Sequence, residues 1–217
     1  MYTGVEMNNT LSLVVILVPI LLISMSIHEM MHAYVSNWLG DDTARLMGRV
    51  SINPIAHMDP MLTLALPILL LITSSPILFG AAKPVQVNFS SLKYEEYGGA
   101  IVGMVGPLTN LALAFVAGLL FTQFQPEYGT TLYSIFKITI WLNVGLFIFN
   151  SIPWPPLDGS RLLYAFAPTW LQEFMSSLER MGLTSIVILI FIFMLVGNPI
   201  GLLAQKLVGV IAPGLVF

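Results

Sequence analysis

Residues 28–32 read HEMMH, which is an HExxH motif. His28 and His32 are four positions apart, so on a helix they lie on one face, one turn apart. Two imidazoles placed in this way can bind one zinc ion, and Glu29 is then close enough to take a proton from a water that zinc activates. The alternative is a chance match with two hydrogen-bonded core histidines. Three ionisable groups in one turn of an otherwise charge-free apolar stretch need a partner in hydrocarbon, which favours the metal site.

A catalytic zinc ion takes three protein ligands, so two histidines leave one ligand to be found. The candidates are His57, Asp59, Asp158 and more remote acidic residues. Asp158 belongs to the segment NSIPWPPLDG at 150–159, where prolines break a helix and the glycine lets the backbone turn sharply. The same aspartate can instead cap a helix that begins at residue 160. The residues alone leave these two roles of Asp158 equally open.

The elements that must position these groups are membrane helices by composition. Of 217 residues, 57% are hydrophobic and 9% are charged, whereas a soluble domain has about 25% charged residues. The mean hydropathy is +0.88. This composition excludes a soluble enzyme, a disordered chain and a nucleic-acid binder, and the net charge of -3 provides no basic patch. The absence of cysteine excludes disulfides and thiolate metal sites.

A transmembrane helix needs about 20 largely apolar residues. The apolar runs lie at residues 7–38, 60–82, 98–126, 132–154, 181–196 and 200–217. We therefore expect an all-α polytopic membrane protein with four to six transmembrane helices, forming a single domain over residues 1–217. The first run lacks the basic flank of a signal peptide, so we expect it to be retained. Alternating residues and β-formers predict a small membrane-associated β element, with short strands at 44–52 and 84–89.

The metal hypothesis also constrains the topology. HExxH lies in the C-terminal half of the first apolar run, and Asp158 lies just beyond the C-terminal end of the fourth. Both reach one ion only if the two helices end on the same side of the membrane. We therefore expect residues 61–82, which contain prolines and serines, to be a re-entrant segment. Six of the 8 basic residues then share one side, which the positive-inside rule makes cytoplasmic, with the N-terminus outside.

The motifs resemble those of the site-2 protease family of intramembrane zinc metalloproteases, in its short prokaryotic type. HEMMH matches the family's HExxH, and NSIPWPPLDG matches its NxxPxPxLDG. Three further segments match in the family's order, namely GRVSINPIAHMDP at 48–60, AKPVQVN at 82–88 and GPLTN at 106–110. The chain departs from many relatives at Leu62, where they have glycine, and at Ala81, where they often have tryptophan. Neither departure falls on an expected ligand, but both leave the shape of that loop open.

The resemblance implies one zinc ion per chain, held by His28, His32 and Asp158. It implies that Glu29 is the general base, and that Asn150 and Asn110 bind the substrate backbone or the developing oxyanion. The implied activity is hydrolysis of peptide bonds in transmembrane substrate proteins, near the cytoplasmic side of a prokaryotic cell membrane.

The competing interpretation is a metal-ion transporter or a non-catalytic zinc-binding membrane scaffold. A transporter is expected to line several spans with metal-binding or proton-relay groups. Here the charges within the apolar runs concentrate at one motif, which favours the enzyme.

Overall fold

The computed structural model describes residues 3–57, 85–196 and 199–215, and in these residues the chain is helical. Seven helices have at least eight residues: α1 (Thr3–Trp38), α4 (Glu95–Phe124), α5 (Thr131–Asn150), α6 (Gly159–Phe166), α7 (Thr169–Arg180), α8 (Leu183–Val196) and α9 (Pro199–Ile211). Two single-turn helices, α2 (Thr43–Leu46) and α3 (Pro54–His57), follow α1, and a 3-10 turn at Phe89–Ser91 precedes α4.

Three helices are long and apolar enough to cross a membrane, by length and composition: Leu13–Trp38 within α1, Glu95–Phe124 and Thr131–Asn150. The pair α7 and α8 is bent by 104° and makes a fourth span if its two halves are taken together. The expectation of an all-helical polytopic membrane protein is thus confirmed, with up to four spans in the described residues. The re-entrant segment expected at 61–82 lies outside them.

The strand predicted at 44–52 is wrong. The Asp41 carboxylate accepts hydrogen bonds from the backbone N–H and the hydroxyl of Thr43, and this turn leads directly into α2, which begins at Thr43. Gly48, with φ at +69°, then reverses the chain. The side-chain-to-backbone turn at Asp41 therefore outweighs the alternating pattern. Residues 85–89 do not form the second predicted strand either, because they lead irregularly into the 3-10 turn, and residue 84 lies outside the described residues.

Helix α4 packs against α1, α5 and α6, so it lies between the two halves of the expected metal site. Behind it, an apolar core joins α4 and α5 to α9 around Ile140, Val144 and Val208, all fully buried. Gly118 allows the close contact with α9, because a Cβ there would lie 2.4 Å from the carbonyl oxygen of Ile211. Small residues at such crossings let membrane helices approach each other closely.

Candidate metal centre

Three side chains from distant parts of the sequence converge in the structure. His28 Nε2 lies 3.0 Å from His32 Nε2 and 3.1 Å from Asp158 Oδ2. His32 Nε2 lies 3.4 Å from the same carboxylate oxygen. Within the described part of the chain, this is the single group of three or more metal-ligating side chains that converge in this way. The structure therefore brings together the two histidines of HExxH and the aspartate of the proline-rich segment.

The spacing and chemistry of these atoms fit a zinc ion. With bonds of 2.0–2.1 Å, tetrahedral ligand atoms lie about 3.3 Å apart, close to the separations seen here. The second ring nitrogen of each histidine faces an oxygen, with His32 Nδ1 2.7 Å from the Val102 carbonyl and His28 Nδ1 2.6 Å from Asn110 Oδ1. Each Nδ1 therefore donates, so in its neutral form each ring turns an Nε2 without hydrogen toward the cluster. The two Nε2 atoms and the Asp158 oxygen are then three acceptors in contact, an arrangement that a cation between them would stabilise.

One side of the centre is closed by α4. A Cβ at Gly106 would lie 2.3 Å from His32 Nε2 and 2.7 Å from His28 Cε1, so only glycine leaves room for both rings. The centre is more open at Asp158, whose side chain is 26% exposed, than at the two histidines, whose side chains are each 8% exposed. A site with three ligands and one open side is the arrangement that catalytic zinc requires.

The proline-rich loop returns the chain from the end of α5 to the histidines. Successive turns, including Leu157 N–H to the Trp154 carbonyl, replace the helical bonds that prolines prevent. Gly159 packs directly on the backbone of Ser151, where a Cβ would lie 2.3 Å from the carbonyl oxygen. The Trp154 indole donates to Ser185 Oγ at 2.8 Å and ties the loop to α8. These contacts hold Asp158 at the start of α6, facing the histidines of α1.

Glu29 is half-buried beside the first histidine, and its Oε2 accepts a hydrogen bond from the Val85 N–H at 3.1 Å. The chain then continues through residues 85–88, which we term the 85–88 segment. Its last residue, Asn88, donates its N–H to Asp41 Oδ2 at 2.8 Å. The segment is thus held at one end by the expected general base and at the other by a buried carboxylate, alongside the C-terminal part of α1.

The remaining sequence-predicted residues lie in different environments. Asn110 is fully buried next to His28, whereas Asn150 is half-buried at the end of α5 and donates to the Leu146 carbonyl at 3.0 Å. The substrate-binding role expected of both residues stays a prediction. His57 is buried, lies 2.7 Å from the Ser51 carbonyl and is not part of the cluster. Asp59 lies outside the described residues.

Two buried polar residues near the centre were not singled out from the sequence. Asn143 of α5 is fully buried, and its Oδ1 accepts from Asn110 Nδ2 at 2.9 Å. An amide in the middle of an apolar span is the signal that points to it, because such a group needs partners in hydrocarbon. The second is Asp41. Its burial opposes ionisation, but hydrogen bonds from Thr43, Asn88 and Ser36 outweigh this and lower the pKa of its carboxyl.

The chain is similar in sequence to a known protein family and to several known proteins. Residues 125–195 match the family model described as "Peptidase family M50". The chain is 38% identical over 186 residues to "Putative zinc metalloprotease YwhC" of Bacillus subtilis (strain 168), covering 82% of this chain and 81% of that protein.

Two further relatives, matched over shorter stretches, carry similar names. The chain is 27% identical over 169 residues to "Putative zinc metalloprotease Rip2" of Mycolicibacterium smegmatis, covering 78% of this chain and 64% of that protein. It is 40% identical over 85 residues to "Putative zinc metalloprotease MJ0611" of Methanocaldococcus jannaschii, covering 39% and 42% of the two chains. No solved structure matches the chain significantly.

Proposed function

Because the chain belongs to peptidase family M50, the site-2 protease family, it is a zinc metalloprotease of the membrane, and we propose that it hydrolyses peptide bonds of transmembrane substrate proteins. We place the cleaved bond near the cytoplasmic side of the bilayer. The observation that carries the proposal is the convergence of His28, His32 and Asp158, with Glu29 on the same helical turn as the first ligand.

In the proposed mechanism the three converging side chains hold the metal. When bound, zinc supplies Lewis-acid polarisation of the scissile carbonyl and makes water easier to deprotonate. Glu29 takes a proton from the attacking water and delivers one to the leaving amine. The Nδ1–H groups of both histidines stay bonded to Asn110 and Val102, so the rings keep one orientation throughout. Water and the peptide enter from the open side, where Asp158 is exposed.

A transmembrane substrate must lose helical structure at the cleaved bond, because a helix engages its own carbonyl groups in hydrogen bonds. We propose that the unwound peptide lies along the 85–88 segment, whose first N–H already contacts Glu29. Asn150, half-buried at the end of α5, is the better placed of the two predicted asparagines to bind the substrate backbone.

We further propose a topology with the N-terminus outside, residues 61–82 re-entrant and four to six spans in a prokaryotic cell membrane. The support is the distribution of basic residues, since the α4–α5 connection at 125–130 has neither lysine nor arginine. The chain has no cysteine, so single cysteines at Gly80 and Glu127 can be probed in intact cells with an impermeant maleimide. We expect labelling from outside at 127 and not at 80, and external labelling at 80 contradicts the re-entrant arrangement.

The activity is tested with Glu29→Gln in the purified, zinc-loaded protein. The amide cannot accept the proton from water, so we expect cleavage of a test transmembrane substrate to fall by about 10²- to 10⁴-fold. Zinc content, measured by elemental analysis, is expected to stay at one ion per chain. Glu127→Gln, an exposed glutamate on the α4–α5 connection, is the matched control and retains activity.

Unchanged cleavage by Glu29→Gln contradicts the mechanism. If the wild-type protein binds zinc but cleaves no membrane substrate, the non-catalytic scaffold is the better description, and zinc flux across vesicles containing the protein identifies a transporter.

A further inference from the structure

We propose that Asn143 is a positioning residue that acts through Asn110 to fix the orientation and tautomer of the zinc ligand His28. This inference rests on the proposed function, because it concerns the same metal centre, but it gives a role to a residue outside the HExxH and proline-rich motifs. It also gives Asn110 a role different from the substrate binding that the family resemblance implies.

The orientations of the Asn143 and Asn110 side-chain amides follow from one backbone group that can only accept a hydrogen bond. Asn143 Nδ2 lies 2.9 Å from the backbone carbonyl oxygen of Thr139, which can only accept a hydrogen bond. The nitrogen of Asn143 is therefore on that side, and it also donates to Ser24 Oγ at 2.9 Å. The Oδ1 of Asn143 must then face Asn110, whose Nδ2 donates to it at 2.9 Å.

With its nitrogen committed to Asn143, Asn110 can present only its oxygen to His28. The distance from Asn110 Oδ1 to His28 Nδ1 is 2.6 Å, so His28 carries its proton on Nδ1. The Nε2 of a neutral ring is then free of hydrogen and faces His32 and Asp158, as a metal ligand requires. A backbone carbonyl on α5 thus determines the tautomer of a ligand on α1.

The burial of the network gives it this control. Asn110 and Asn143 are both 0% exposed and Ser24 is 3% exposed, so exchange with solvent does not supply alternative partners. If Asn143 flips, its oxygen meets the Thr139 carbonyl. If Asn110 flips, its amide nitrogen meets His28 Nδ1 and favours the tautomer with hydrogen on Nε2, which cannot bind the metal. Only one arrangement of the two amides satisfies every group.

The test measures zinc binding and histidine tautomers in the purified full-length protein. Asn143→Leu removes the acceptor that orients Asn110, and we expect zinc affinity, measured by chelator competition, to fall about 10- to 100-fold. The chain has only three histidines, so ¹⁵N-histidine NMR of the metal-free protein can resolve their tautomers at a pH high enough for the rings to be neutral. We expect His28 to change from one tautomer in the wild type to a mixture in the variant.

A second pair of variants, at Asn110, distinguishes a positioning role of the network from a purely structural role. Asn110→Leu removes the acceptor for His28 and should weaken zinc binding to the same extent. Asn110→Asp keeps an acceptor for His28 Nδ1 but loses the donor to Asn143 Oδ1, so it should retain clearly more zinc affinity than Asn110→Leu. The control is Thr109→Val, which removes a side-chain bond to the Val105 carbonyl next to Asn110 without touching the network, and it should bind zinc like the wild type.

The proposal is overturned if Asn143→Leu, folded by circular dichroism, binds zinc like the wild type with His28 still protonated on Nδ1. If Asn143→Leu does not fold, the two Asn110 variants test the proposal instead. Equal losses of zinc affinity in Asn110→Leu and Asn110→Asp overturn the proposal. Failure of the proposed function has a different signature, because it is read from substrate cleavage by Glu29→Gln and not from zinc affinity.

Discussion

The two sides of the metal centre are built in different ways. On the closed side, α4 presents Gly106 to the imidazole rings, and Val102 and Asn110 bond to their Nδ1 atoms. These groups are uncharged and buried in a long helix. We term the part of the centre at Glu29 and Asp158 the open side. Next to Glu29 lies the 85–88 segment, which lacks regular structure and donates hydrogen bonds to two carboxylates, those of Glu29 and Asp41. The groups that fix the imidazole rings are therefore neutral, whereas the groups that hold the 85–88 segment are carboxylates.

The difference indicates how an enzyme of this kind can hold its metal ligands rigidly and still admit water and a peptide. The closed side sets the ligand geometry through helix packing and neutral hydrogen bonds, which need no water. The open side must admit water and a peptide, and its short segment is held by two hydrogen bonds to carboxylates and by the packing of Val87 against the apolar cluster of Val35 and Val102. We expect changes on the closed side to affect the metal first, and changes on the open side to affect substrate binding and stability with the metal retained.

The largest effect is expected on the closed side, from Gly106→Ala. The added Cβ would lie 2.3 Å from His32 Nε2, and the helix backbone that carries it cannot move away easily. Ligand displacements of about 1 Å reduce catalysis about 100-fold, so we expect zinc affinity and cleavage each to fall by at least that factor. Gly145→Ala in α5 is the control, because nothing lies within 4 Å of its Cβ. Normal zinc binding by Gly106→Ala would show that α4 does not shape the site.

The same comparison explains which parts of the site the sequence could reveal. HExxH encodes its geometry locally, since i and i+4 residues share a helix face. The contributions of Gly106 and Asn143 depend on which faces of α4 and α5 meet α1, and no local pattern contains that information. The strand expected at 44–52 failed for a related reason, because the alternating residues were visible while the hydrogen bonds of Asp41 with Thr43 and Asn88 were not.

An intermediate effect is expected on the open side, from Asp41→Asn. The carboxylate accepts from Ser36 Oγ, from Asn88 N–H and from both donors of Thr43. An amide leaves part of this set unpaired, so we expect the free energy of unfolding to fall by about 1–3 kcal/mol. Zinc content should not change, while KM for a membrane substrate should rise several-fold as the 85–88 segment loosens. Asp42→Asn, at the exposed neighbour, is the control and should leave the zinc content, KM and the free energy of unfolding nearly unchanged, because its ion pair with Arg45 is exposed. Loss of zinc from Asp41→Asn would contradict the division between the two sides.

The smallest expected effect is on pH dependence. It concerns the difference in free energy of unfolding between the wild type and Asp41→Asn. The folded state lowers the pKa of Asp41 below its ordinary value of 3.8. Its stabilisation is therefore fully present above that value and is lost as pH falls through the lower folded-state pKa. The difference in free energy of unfolding between wild type and Asp41→Asn should be constant from pH 7 to about pH 5, and should shrink below 3.8. Urea titrations of both proteins at each pH measure it, and changes common to both, such as metal release, cancel. A difference that instead grows on acidification would mean that Asp41 is held protonated, so that its hydrogen bonds do not stabilise the carboxylate.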